Sequence, residues 1–214
     1  MNLFTFDNLI LLLTGLTAVY LIWRFWGRYS KVKALYDLYY MMGFAVLFVS
    51  GVLLIFLGYG ILGMGGTALS PYILPIASLI PLGISLGIAN QFYPIWKKAF
   101  AWFALVGFLT IAVTSIGGMS LKKLAVPIFH GVAGLVIFLG PIFAERNGKA
   151  PKGYFWVGVG GALIGIGGIA LAFLTSGSQL LFFSTQIVLM ILAPLLLLMA
   201  LTFTWGFMKD IKAG

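Results

Sequence analysis

The sequence predicts an all-α polytopic membrane protein: a single bundle of seven transmembrane helices over residues 1–214, with the N-terminus outside and the C-terminus cytoplasmic. Three observations point there. Mean hydropathy is +1.14 and only 8% of residues are charged, against roughly 25% in a soluble domain. Seven apolar stretches come close to the roughly 20 residues a spanning helix needs. The basic residues gather on alternate connections, as in an oriented multispan chain.

The stretches run at about 8–25, 38–58, 72–92, 99–118, 124–144, 154–175 and 180–207. The first follows Asp7, with no basic segment before it, and is followed at once by positive charge. It reads as a retained span rather than a cleaved signal. The second carries Gly43, Ser50, Gly51 and Gly58, and the third Pro75 and Pro81. Between them residues 60–70 are glycine-rich and uncharged. They lack the lysine of a phosphate loop and read as a connection skimming the membrane. The fourth stretch places Gly107, Thr110, Thr114 and Gly117 at i, i+3, i+7 and i+10, and the fifth carries Pro127, His130 and Pro141. In the sixth, Gly158, Gly161, Gly165 and Gly168 repeat the same spacing, which lies on one helix face. Such a face lets a neighbouring backbone approach closely in a bilayer, so these four are predicted to pack helices. The seventh contains Pro194. Small residues on outward-running helices and prolines on inward-running ones suggest a leading helix followed by three related hairpins. Pro81 and Pro194 each free a carbonyl one turn back; such carbonyls line polar sites in some transporters and are elsewhere satisfied locally.

Of the 13 Lys and Arg residues, only Lys122 and Lys123 fall on the outer side of this arrangement. The others are Arg24, Arg28, Lys31, Lys33, Lys97, Lys98, Arg146, Lys149, Lys152, Lys209 and Lys212. Trp23, Trp26, Trp96, Trp102, Trp156 and Trp205 cluster near the same interface, where amphipathic rings anchor. The net charge of +9 therefore reads as orientation and attraction to anionic lipid headgroups, not nucleic-acid binding. The expected setting is the bilayer of a prokaryotic cell membrane.

Much chemistry is missing. Without cysteine there is no disulfide or thiolate metal site. The acids Asp7, Asp37, Glu145 and Asp210 lie near span ends, whereas proton pumps and cation-coupled carriers usually hold a carboxylate within the membrane. A lone His130 cannot supply paired axial haem ligands. Metalloprotease and serine-hydrolase motifs are absent. The sequence implies no catalytic residue, cofactor or metal.

Two constellations stand out. His130, Gln186, Ser78, Thr14, Thr114 and Ser115 fall at a similar outer-leaflet depth, about 9 Å below the surface for His130 at 1.5 Å per residue. They are hydrogen-bonding partners between helices or a shallow site for a small neutral or weakly charged ligand. On the cytoplasmic side stand Arg24, Arg28, Tyr36, Asp37, Tyr39, Tyr40, Asn90 and Gln91. Asp37 is expected to pair with Arg24 or Arg28, clamping the first loop to the bundle or forming a cytoplasmic gate.

Seven spans with an arginine-bearing first loop (Arg24, Arg28) resemble the sensor modules that open some bacterial histidine kinases. That resemblance implies sensing, yet after Met208 only Lys209-Asp210-Ile211-Lys212-Ala213-Gly214 remains in place of an output domain. The glycine-rich spans are also similar to those of trimeric intracellular cation channels, without their Gly-Gly-Gly then Arg-Asp motif. The broadest resemblance is to small prokaryotic seven-helix membrane proteins of unknown function. Three function classes follow. The first is a non-catalytic accessory or packing subunit, meeting a membrane-protein partner or a second copy. The second is a channel or carrier for a small neutral or weakly charged solute. The third is a sensor or intramembrane enzyme centred on His130.

Overall fold

In the computed structural model the described residues, 5–62, 70–175 and 185–213, form helices and turns, with no strand among them. Side chains are described for these except at 62, 70, 169–175 and 185. Most of the connection at 60–70 and the start of the seventh apolar stretch lie outside the described residues. The helices are α1 (Phe6–Val32), α2 (Leu35–Leu57), α3 (Ser70–Phe92), α4 (Lys97–Ile116), α5 (Lys122–Arg146), α6 (Phe155–Thr175) and α7 (Thr185–Ala213). A 3₁₀ turn, Tyr59–Leu62, follows α2. All except α6 are described over enough apolar length to cross a membrane; the described part of α6 is a shorter apolar helix, Phe155–Gly168. The chain is an integral membrane protein by this character.

Helix ends follow local chemistry. The Thr5 hydroxyl accepts from the Asn8 N–H at 3.4 Å, opening α1. Lys33 closes it in the left-handed region at φ 56°, donating its N–H to the Tyr29 carbonyl. The Glu145 carboxylate accepts the Phe155 N–H at 2.8 Å, placing negative charge at the start of α6. α1 continues to Val32 and α7 to Ala213, beyond the apolar stretches that end at about 25 and 207. Backbone bonding does not stop where hydropathy falls. The α1 extension carries Arg28, and the α7 extension carries Asp210.

Six helices form a closed ring in the order α1, α2, α3, α5, α6, α7, with α7 returning to α1. α4 lies outside it, packed on α3 and α5. We call the end holding Arg28, Asp37 and Asp210 the basic end. There the ring is filled by aromatic side chains: Phe25, Tyr40, Phe44, Phe203 and Phe207 are buried together, with Tyr154 against Phe207. Lipid tails are as apolar as these rings, so close packing rather than expulsion from water holds them. Large apolar side chains such as Leu16, Leu109, Leu135 and Leu198 point outward. All six tryptophans are exposed and lie toward the basic end of their helices.

Backbones approach where side chains are missing. A Cβ on Gly158 would stand 2.5 Å from the Phe138 carbonyl oxygen, and one on Gly161 2.9 Å from the Phe138 nitrogen, both on α5. Among the described residues, nothing lies within 4 Å of a Cβ on Gly165 or Gly168. α2 and α3 meet in the same way, with a Cβ on Gly83 falling 3.0 Å from the Tyr39 carbonyl oxygen. The prolines leave α3, α5 and α7 unbroken.

Candidate functional site

Three helices carry the same buried stripe. On α1 it is Leu11, Thr14, Ala18, Leu21, Phe25 and Arg28. On α2 it is Asp37, Tyr40, Phe44, Leu47, Gly51 and Leu54. On α7, Ala193, Ala200, Phe203, Phe207 and Asp210 are buried, with Leu196 packed beside them. Each has the i, i+3, i+7 spacing of one helix face, and each ends in a charged residue at the basic end. Helix periodicity therefore delivers Arg28, Asp37 and Asp210 to one point inside the ring.

There they form one network. Arg28 Nε and Nη2 both donate to Asp37 Oδ1, at 2.9 and 2.6 Å. Arg28 Nη1 donates to Asp210 Oδ2 at 2.5 Å. The Gln91 amide, at the end of α3, donates to both Asp210 oxygens at 3.1 and 2.9 Å. The Tyr40 hydroxyl donates to Gln91 Oε1 at 2.9 Å and lies 3.4 Å from the Tyr154 hydroxyl. The guanidinium stands over the Tyr36 ring at 5.1 Å and the Phe25 ring at 5.6 Å. Asp37 is fully buried, and Arg28 and Asp210 are each 7% exposed. One cation and two carboxylates thus tie together the ends of α1, α2, α3 and α7, with Tyr154 reaching in from just before α6.

Arg24 is not part of this centre. It lies off the buried stripe, stacks over the Trp23 ring at 5.6 Å, and forms no ion pair among the described residues. Asp210 and Tyr154 were absent from the cluster drawn from sequence. The signal for Asp210 was its place three residues after Phe207 and seven after Phe203 on an apolar face. Tyr154 carries no comparable signal, because it precedes its helix.

The outer polar residues behave differently. Thr14, Ser78 and Thr114 are buried, and each hydroxyl donates to a carbonyl of its own helix: Ile10 at 2.9 Å, Pro75 at 2.6 Å and Thr110 at 2.7 Å. Ser115 is buried with no hydrogen-bond partner for its Oγ among the described residues. His130 is half-buried on the same helix face as Ile137 and Pro141. Its Nδ1 is buried without a well-aligned partner, although the Val126 carbonyl lies one turn back. Gln186 is exposed at the start of α7. No hydrogen bond links any two of these six among the described residues.

At the other end of α1 and α2, Tyr59 stands near Asp7. Burial first, and the Asp7 carboxylate second, push its phenol up to about 12. Comparison with protein-family models, curated proteins and solved structures found no match to the chain.

Proposed function

We propose that the protein is a non-catalytic subunit of a membrane assembly, packing against another integral membrane protein, with its N-terminus outside and its basic end in the cytoplasm of a prokaryotic cell. One observation carries this reading. The ring of helices is closed at the basic end by packed aromatic rings, and the charged groups there bond to one another rather than line an open cavity. A scaffold needs such a stiff interior, whereas a carrier needs a route through it. The exposed tryptophans and basic connections support the orientation and a contact with anionic headgroups. In this reading the Arg28 centre is a structural clamp, the glycines of α6 serve helix packing, and the hydroxyls of the outer polar layer secure their own helices.

The test is native mass spectrometry after gentle extraction from the source membrane. A stoichiometric complex with a second membrane protein is expected; a bare monomer overturns the reading. A channel or carrier for a small neutral or weakly charged solute is the second reading. It is favoured by the closed ring of six helices with prolines inside α3 and α7. Solute flux in liposomes that His130→Ala abolishes would support it.

A further inference from the structure

The Arg28 centre has one positive charge against two negative ones. We propose that it is a proton-binding site, holding one proton on the Asp37 carboxyl at neutral pH. The hydrogen-bond geometry shows where the proton fits. Both bonds from Arg28 to Asp37 land on Oδ1. Oδ2 of the same fully buried carboxylate has no hydrogen-bond partner among the described residues. The remaining bond of the guanidinium goes to Asp210 Oδ2.

The surrounding elements supply no second cation. α2 contributes the phenols of Tyr36 and Tyr40, and Tyr154 adds a third from before α6. Phenols are neutral near pH 7. α3 contributes the neutral amide of Gln91. Neighbouring cations form no ion pair with it among the described residues: Arg24 lies over Trp23 with its Nε buried and unpartnered, Lys33 over Tyr29 and Lys209 over Trp205. The centre therefore carries a net charge of −1 when both acids are ionised.

A buried surplus charge is costly, and such a group neutralises instead of staying charged. A second carboxylate on the same guanidinium disfavours the ionised form of its neighbour, and Asp37, with one oxygen unpartnered, is where a proton is accommodated. A proton taken from the aqueous phase at the basic end, where Arg28 and Asp210 keep a small exposed edge, turns the orphan anionic oxygen into a neutral hydroxyl. The centre then becomes electrically neutral, and the tie between α1, α2 and α7 depends on proton activity at that face. This site is independent of whether the protein has a partner subunit.

The experiment is infrared spectroscopy of the full chain in lipid nanodiscs, titrated through neutral pH in H₂O and D₂O. The sequence has only four Asp and Glu residues, so the protonated-carboxyl region is sparse. The wild type should show a carbonyl band of a protonated acid at pH 7, shifted in D₂O and lost at higher pH. Asp37→Asn should lose it, because Asp210 then pairs with Arg28 alone. Asp210→Asn should lose it as well, because the surplus charge is gone. Absence of the band from the wild type at pH 7 overturns the proposal. So does a band that survives in both variants, since it then belongs to another acid. Should one variant fail to fold, the other still decides whether the band belongs to this centre, and a band it retains unchanged overturns the proposal.

Discussion

Arg28 and Arg24 stand one turn apart on α1 and differ in what surrounds them. Arg28 is enclosed with two carboxylates, whereas Arg24 lies on a half-exposed face over Trp23. Removing one member of a buried charge set leaves its partners uncompensated and costs about 3–5 kcal/mol. A cation–π contact at an exposed site contributes about 0.5–1 kcal/mol. Arg28→Gln should therefore lower the unfolding free energy in detergent by about 3–5 kcal/mol, and Arg24→Gln by no more than about 1 kcal/mol. Equal losses would contradict the assignment of the clamp to Arg28. A second residue-scale prediction concerns Tyr59. Its phenol titrates near 12 in the folded chain against 10.0 for an ordinary tyrosine. The unfolded state thus releases its proton first as pH rises. The contribution of this group to stability is fully present below about pH 10 and is lost between about 10 and 12. Thermal melts across that range should fall less steeply in Tyr59→Phe than in the wild type.

At the scale of elements, the four evenly spaced glycines of α6 divide into two pairs. Gly158 and Gly161 face the α5 backbone, while none of the described residues comes within 4 Å of a Cβ on Gly165 or Gly168. Regular spacing identifies a common face but cannot say how far along it a neighbour stays in contact. Gly158→Ala would force a methyl against the Phe138 carbonyl and should cost about 1–3 kcal/mol, the usual range for overpacking. Gly165→Ala should be neutral or stabilise by up to about 1 kcal/mol through the lower chain entropy of alanine. Denaturation midpoints of the two variants, measured side by side, check this. The serine and threonine hydroxyls illustrate a related point. Ser78, Thr14 and Thr114 each donate to a carbonyl three or four residues back. Residue type and depth alone do not distinguish that bond from one to a ligand or to a neighbouring helix.

For the whole molecule, orientation is the open quantity that charge predicts. The chain contains no cysteine, so single introduced cysteines report without background. Ala213→Cys and Lys149→Cys should react with a membrane-impermeant maleimide only after the membrane is opened, and Gly118→Cys should react in intact cells. The reverse pattern would invert the bundle. Ring closure is a second property at this scale. α4 falls between α3 and α5 in the chain but outside the ring in space, so sequence neighbours are not all ring neighbours. The idea of a leading helix followed by three hairpins says nothing of this, because hairpin pairing describes only consecutive helices.

Apolar length, the low charge content and the placement of basic and tryptophan residues were legible from the sequence as an all-helical membrane protein with most of its charges at one end. These are averages over many residues, and the bilayer responds to averages. The same averaging puts the acids near span ends and leaves Asp210 outside the cytoplasmic cluster. Helix periodicity could have placed Arg28, Asp37 and Asp210 on buried faces, since each continues an apolar stripe by three or four residues. Nothing in a linear sequence states that the three stripes meet. Residue 28 and residue 210 come within hydrogen-bond distance only because the ring closes α7 onto α1. That closure depends on side-chain fit among distant helices, and it turns three end-of-helix charges into one buried centre with a surplus negative charge.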